Sequence, residues 1–315
     1  MKKKPLVILT GPTAVGKSAL SISLAKAIDG EIISADSMQV YKYMDIGTDK
    51  ITPEQMEGVP HYLIDEFEPD KEFNVVTFQK YAKKYISEIY EKNKIPILVG
   101  GTGFYIQAVL YDIDFKEAED DYAYRNKLEK LAKEKGRDYT HKQLEKIDPE
   151  SAKAIHPNNL QRVIRALEYY KETGELMSDH NKKQKEKTSP YNFCYFVLNK
   201  DREKLYNSIN LRVDEMFEEG LVDEVKSLLD RGYTKDLVSM QGLGYKEIIP
   251  YILGERTLEE AIYLLKRDTR HYAKRQLTWF RREENINWIN KEDYTNDKNI
   301  LSHMKELLFD KGLLT

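Results

Sequence analysis

Eight residues, Gly11-Pro12-Thr13-Ala14-Val15-Gly16-Lys17-Ser18, have the types and spacing of a phosphate cradle: a glycine, four residues, then Gly-Lys-Ser. Glycine tolerates positive φ, so successive amides of such a loop converge on one concavity. The helix that starts there adds the positive end of its dipole. Lys17 adds a full positive charge, and the Ser18 hydroxyl is suited to ligate Mg²⁺. Further on, Asp36 closes the apolar run Ile32-Ile33-Ser34-Ala35. A carboxylate at a strand end beside a phosphate loop has two roles open to it. It serves as a general base, or it caps a turn and holds metal-bound water.

These groups need elements to place them. Leu6 to Thr10 is a short, β-branched apolar run and reads as a buried strand leading into the loop. Lys17 to Ile28 has helical spacing, with Leu20, Leu24 and Ala27 on one face. Glu31 to Asp36 reads as a second strand, Val75 to Lys92 as an amphipathic helix, and Ile95 to Val99 as a further buried strand. That strand stops at Gly100-Gly101-Thr102-Gly103, and a helix is expected from Phe104. Uniformly apolar strands alternating with helices imply an α/β fold, a P-loop NTPase-like parallel sheet with helices on both faces. From Lys116 to Pro190 the chain is charged and helical in pattern, so an all-helical insertion domain is expected there. Within it, Asp148-Pro149 reads as a helix start, Leu160 to Glu172 as a clean amphipathic helix, and Lys182 to Lys187 as a solvated hinge. Residues 1–115 and 191–315 then form the core, with a strand over Phe193 to Leu198 and helices after Tyr206.

Composition bounds the function. The 315 residues are 41% hydrophobic, enough for a real core. The Met1-Lys2-Lys3-Lys4-Pro5 start is basic, but the apolar run behind it is too short for a secretion signal. No stretch approaches the roughly 18 to 20 apolar residues of a membrane span. A single cysteine, Cys194, excludes a disulfide framework and a cysteine-based zinc site. A cytoplasmic protein is expected. The net charge of −3 speaks against nucleic acid only on average. Lys266 to Arg282 carries seven Lys or Arg against one acid, Asp268, with Arg267, Arg270, Lys274 and Arg281 on one helical stripe. Such a stripe suits a phosphate backbone, and its aromatics suit stacking on unpaired bases. ATP or GTP would be the default ligand of the loop. Yet no convincing Walker-B strand occurs, since Val99 runs straight into glycines with no acid there, and no Asn-Lys-x-Asp reader of guanine is present.

Seven blocks in order resemble the tRNA dimethylallyltransferases, also called tRNA isopentenyltransferases. They are the phosphate loop; Asp36-Ser37-Met38-Gln39-Val40-Tyr41; Gly100-Gly101-Thr102-Gly103-Phe104-Tyr105; and Asn159 to Glu168. The others are Arg212 to Met216, Gly242-Leu243-Gly244-Tyr245-Lys246-Glu247, and Ala273 to Arg281. With one cysteine, the zinc-finger extension of some eukaryotic members has no counterpart.

The resemblance implies that the loop, Gly11 to Ser18, holds the diphosphate of dimethylallyl diphosphate rather than a triphosphate, with Mg²⁺ at Ser18. It implies transfer to the exocyclic amine of the adenosine 3′ to the anticodon, drawn out of its stack in a channel through the protein. Asp36 becomes the general base, Arg212 the distant arginine on the diphosphate, and Thr102 a hydroxyl at the flipped base. Ser37, Met38 and Gln39 are expected at the RNA, Gln39 as a bidentate reader of adenine. Further tRNA contacts are expected at Arg125; at Gln161, Arg162, Val163, Ile164 and Arg165; and at Gln241, Gly242, Gly244, Tyr245 and Lys246. The basic stripe adds Lys274, Arg275, Gln276, Trp279 and Arg281. A monomer acting on the anticodon stem-loop without a protein partner is expected. Two rivals stand beside this reading: an adenylate isopentenyltransferase using free AMP, ADP or ATP, and a P-loop small-molecule kinase with Asp36 activating a hydroxyl.

Overall fold

The computed structural model describes residues 3–115 and 122–314, and by their contacts the chain divides into two compact units, Met1–Leu110 with Pro190–Thr315 and Tyr111–Ser189. The first unit opens with β1 (Pro5–Thr10), α1 (Lys17–Ile28), β2 (Gly30–Ser34) and β3 (His61–Tyr62). It continues with α2 (Val75–Glu91), β4 (Ile95–Gly100) and α3 (Gly103–Leu110). The second unit holds α4 (Tyr122–Lys135), α5 (Arg137–Ile147), α6 (Pro149–Ala154), α7 (Leu160–Thr173) and α8 (Met177–Lys185). The chain then returns through β5 (Asn192–Asn199), α9 (Arg202–Glu218), α10 (Leu221–Asp230), α11 (Tyr245–Ile252), α12 (Leu258–Phe280), β6 (Ile286–Asn290) and α13 (Asp297–Asp310).

The strands form one parallel sheet in the order β3-β2-β4-β1-β5-β6. Strand residues alternate between faces. Val7, Leu9, Ile97, Cys194 and Phe196 therefore share a cluster with Leu20, Leu24 and Ile28 of α1 and Ile300, Met304 and Leu308 of α13. Phe78 of α2 stacks on Tyr105 of α3 at 4.5 Å between ring centroids, and α2 packs against β4. Helix α2 starts where Asn74 accepts the amides of Val76 and Thr77. Thr257 and Glu260 form a capping box that fixes the start of α12.

The register sets the functional edge. Thr10 pairs with Gly100 and Ser34 with Val99, so β1, β4 and β2 end level with one another. Ala35 donates to the Val99 carbonyl at 2.7 Å, and Thr102 donates to the Ala35 carbonyl at 3.2 Å. The Thr10 hydroxyl donates to the Gly100 carbonyl at 2.6 Å. A Cβ on Gly100 would stand 2.3 Å from the Ala35 backbone, so only glycine lets the two strand ends touch.

The helical unit packs Leu128, Leu144, Ala152, Val163, Ile164 and Leu167 into its own core. Asp148 caps α6, as its sequence predicts, and its second oxygen accepts the Ser178 amide at 3.0 Å. Three sequence expectations change. The Lys182–Lys187 run is not an open hinge: most of it completes α8, and Lys187 is anchored on the Asp112 carbonyl and Asp114. Strand β2 ends at Ser34, so Asp36 lies just past it rather than in it. Strand β6, Ile-Asn-Trp-Ile-Asn, was not anticipated, because its asparagines disguise a half-buried edge strand as a polar turn.

Candidate active site

Three loops meet at the carboxyl edge of the sheet, where open parallel sheets present ligands. The first joins β1 to α1. Its backbone turns through Gly11 (φ 150°), Ala14 (φ 61°) and Gly16 (φ 92°), so one left-handed position falls to an alanine rather than a glycine. Lys17 folds back so that its ammonium donates to the carbonyls of Gly11 at 3.1 Å and Pro12 at 2.9 Å. Burial and the nearby Arg212 lower its pKa to about 8, and Asp36 partly offsets them. Ser18 stands exposed in the first turn of α1.

The second loop carries Asp36. One carboxylate oxygen accepts the amides of Met38 at 2.8 Å and Gln39 at 3.3 Å. Of the two roles left open by the sequence, the structure shows the cap: Oδ1 holds a turn, and Oδ2 takes no part in it. The negative charge of Asp36 acts on Lys17, Arg212 and Tyr272 alike. The third loop brings Thr102. Its carbonyl accepts the amides of Tyr105 and Ile106, so the backbone, not the side chain, starts α3. The Thr102 hydroxyl is buried without a well-formed hydrogen bond, next to the Tyr272 phenol. Burial, and then Asp36, raise the Tyr272 pKa and keep that phenol protonated.

Arg212 reaches this edge from α9. Its Nη1 donates to the Thr13 hydroxyl at 3.2 Å, and its Nη2 pairs with Asp49 at 2.7 Å. Burial lowers its pKa to about 10, with Asp36 acting the other way. Its Nε is buried and has no partner among the described residues. That unmet donor belongs to a guanidinium in contact with the phosphate-type loop.

Several residues expected at RNA do other work. Gln276 is 6% exposed; it accepts the Thr13 amide at 2.9 Å and donates to the Gly101 carbonyl at 3.0 Å. It therefore stitches two of the loops together. Gln39 donates to the carbonyls of Thr48 and Asp49 and accepts from Ser34, so the N–H donor that a bidentate reading of adenine needs is already engaged. Tyr245 is fully buried, with its hydroxyl on Glu224 at 2.8 Å, and Gly244 is buried beneath it. Val163 and Ile164 lie in the core of the helical unit, as helical periodicity demands of residues beside Leu160 and Leu167. Arg125 forms a two-pronged pair with buried Glu168, at 2.8 and 3.0 Å.

The basic stripe divides along α12. Lys266 pairs with Asp214 at 2.6 Å, Arg267 with Asp268 at 2.8 Å, and Arg270 donates to Asn210. Lys274, Arg275, Arg281 and Arg282 are exposed. Trp279 is half-buried and packs over Gly103, where a Cβ would meet its ring at 2.2 Å; Phe104 meets it edge-on. Gln161, Arg162, Arg165, Gln241 and Lys246 are also exposed, and Ser37, Met38 and Gly242 are half-buried. Sequence reasoning missed Tyr272 and Asp49. Tyr272 precedes Gln276 by one helical turn, so the inward stripe of α12 could have shown it. Asp49 meets Arg212 only through folding and has no local signal.

A phosphate-cradling loop, a carboxylate and an inward-facing arginine on one parallel sheet edge define a P-loop-like group-transfer protein. The chain belongs to the IPP transferase family, whose model matches residues 39–283. The tRNA dimethylallyltransferase of Lachnoclostridium phytofermentans is 63% identical over 99% of each chain, and that of Acetivibrio thermocellus is 52% identical over 98% of each. Among solved structures, the tRNA isopentenylpyrophosphate transferase of Bacillus halodurans is 48% identical and superposes with a TM-score of 0.74, covering 99% of this chain and 98% of that one. A eukaryotic dimethylallyltransferase captured acting on tRNA is 30% identical, with a TM-score of 0.83 over 98% of this chain and 80% of that one.

Proposed function

We propose that this chain transfers a dimethylallyl group from dimethylallyl diphosphate to the exocyclic amine of the adenosine 3′ to the anticodon of tRNA. The observation that carries the reading is the meeting of Arg212, from α9, with Thr13 of the phosphate loop that also holds Lys17, at the sheet edge where Asp36 follows β2. The amine nitrogen forms a bond to the first carbon of the allyl group as the carbon–oxygen bond to diphosphate breaks. The electron pair leaves with the diphosphate, and the amine proton passes to Asp36 through Oδ2. The exocyclic amine of adenine is a poor nucleophile because its lone pair is delocalised into the ring, so removing its proton as the bond forms contributes roughly 10²- to 10⁴-fold.

Lys17, the Thr13 hydroxyl, Arg212 and the loop amides stabilise the charge gathering on the leaving diphosphate, often the largest catalytic contribution. The buried Nε of Arg212 gains its missing acceptor there. Ser18 is the residue of this chain that would hold Mg²⁺, together with diphosphate oxygens and water, since no cluster of three acidic, His or Cys ligands occurs among the described residues. Bound there, the ion would add positive charge at the leaving group. The Thr102 hydroxyl, with Tyr272 beside it, holds the extruded base by hydrogen bonding. Extrusion costs a few kcal/mol, least in a loop already single-stranded.

Lys274, Arg275 and Arg281 on α12, and Gln161, Arg162 and Arg165 on α7, contact tRNA phosphates and loop bases in this reading. No described helix is long and apolar enough to cross a membrane. The enzyme works in the cytoplasm as a monomer. Mass spectrometry of tRNA incubated with the chain, dimethylallyl diphosphate and Mg²⁺ tests the proposal directly: a prenylated adenosine in the anticodon loop is expected. Phosphoryl transfer from ATP to a small acceptor, with no prenylation of tRNA, would replace it with the kinase reading.

A further inference from the structure

Arg212 is held from two sides before any substrate is considered. Nη1 meets Thr13 and Nη2 meets Asp49, and these two contacts define the plane of the guanidinium. A buried Nε with no acceptor is unfavourable, so an unrestrained guanidinium would swing toward water to satisfy it. Thr13 supplies one weak hydroxyl acceptor. Asp49 supplies the charge.

Asp49 is itself held by an unusually anchored loop. The Glu224 carboxylate accepts three successive amides, from Asp45, Ile46 and Gly47, at 2.8, 2.7 and 3.1 Å. Tyr245 orients Glu224 from the core. Gln39 donates to the carbonyls of Thr48 and Asp49. The Lys50 ammonium, on a side chain 4% exposed, binds the Tyr41 carbonyl, Asp45 and Asp65. Asp49 sits at φ 51°, a left-handed position held by these contacts. Half of its side chain is exposed, so its pair with Arg212 adds little to stability. Such anchoring around a weak ion pair fits an orienting role.

We infer that Asp49 is a positioning residue: it clamps the Arg212 guanidinium against Thr13 so that its buried edge faces the diphosphate cradle. The inference rests on the prenyl-transfer reading for its substrate, and on the geometry for the clamp. Glu224, Tyr245, Gln39 and Lys50 form the frame that holds the clamp.

The experiment is a double-mutant cycle between Asp49→Ala and Arg212→Ala. It is read by the turnover of prenyl transfer and by the affinity for inorganic pyrophosphate. Asp49→Ala is expected to lower turnover roughly 10- to 100-fold, as displacement of one charge-stabilising donor does. Pyrophosphate affinity falls with it, while tRNA affinity and the unfolding midpoint stay unchanged. Asp49→Asn, which keeps an oxygen to accept from Nη2, recovers most of both. In the Arg212→Ala background, Asp49→Ala weakens pyrophosphate binding no further. Unchanged turnover in Asp49→Ala, or an equal loss of pyrophosphate affinity with and without Arg212, overturns the clamp. Should the Asp49→Ala protein fold poorly, the same cycle run with Asp49→Ser decides on the same criteria. The pyrophosphate arm needs no tRNA. Coupling there, with no prenyl transfer by the unaltered chain, sinks the proposed reaction and leaves the clamp standing.

Discussion

Replacing Gln276 by leucine separates two accounts of the same residue. In the structure its amide joins the Thr13 amide, in the phosphate loop, to the Gly101 carbonyl, in the loop after β4. Leucine keeps the volume and removes both bonds. Each buried polar group left unmet costs about 1 to 3 kcal/mol. Two such groups, one of them close enough to the open edge to regain water, give a loss of about 2 to 4 kcal/mol. Urea unfolding followed by circular dichroism reads this as a lower midpoint with an unchanged slope. Turnover should fall as well, because the loops that carry the diphosphate and the Thr102 hydroxyl lose their common tie, and small misplacements are costly in catalysis. Gln276→Glu keeps an acceptor for Thr13 but sets a carboxylate against the Gly101 carbonyl and beside an anion site, so its turnover should fall further than its stability. A Gln276→Leu protein with the unfolding midpoint of the parent and weakened tRNA binding would refute the tie and return Gln276 to the RNA surface.

Asp36→Asn keeps the oxygen that caps the turn over Met38 and Gln39, so tRNA affinity should persist while turnover falls roughly 10²- to 10⁴-fold; single-turnover assays with saturating tRNA read it, and undiminished turnover removes Asp36 as the base. Lys17, lowered to about 8 from 10.5, is neutral in the free protein above that pH, and a bound anion restores its charge. Pyrophosphate binding should therefore take up a proton above pH 8 and weaken as pH rises, which calorimetry in buffers of different ionisation enthalpy would detect. The stability sign is the opposite: between about 8 and 10.5 the unfolded chain binds the extra proton, so this group favours folding more as pH rises. Lys274→Ala should reduce the salt dependence of tRNA binding by about one counterion, while Lys266→Ala, whose ammonium is already taken by Asp214, should leave the slope unchanged. Equal slopes for the two variants would dismiss the division of the stripe.

Local chemistry determined much of this protein in one dimension. The phosphate loop needs glycine and lysine within eight consecutive residues, and the strands that feed it need uninterrupted apolar runs. Asp148 before Pro149 announced a helix start by the same local logic. Asp36 stood out as a carboxylate closing an apolar run, with its role left open, whereas Thr102 and Arg212 were legible only as matches to a family pattern.

The tertiary structure alone decided which polar groups remain free to act. Gln39 and Gln276 read equally well as partners for RNA or for backbone, and the answer depends on carbonyls and amides brought up from distant elements. Tyr245 follows glycines in a motif that suggests a surface loop, yet Glu224 draws it inside. The cations of α12 differ in whether α9, or for Arg267 the neighbouring Asp268, presents an acid or amide to them. The physical reason is common to all: hydrogen-bond and charge partners are satisfied across space, at the level of the packed sheet edge, whereas helix, strand and loop propensities are settled between neighbours along the chain.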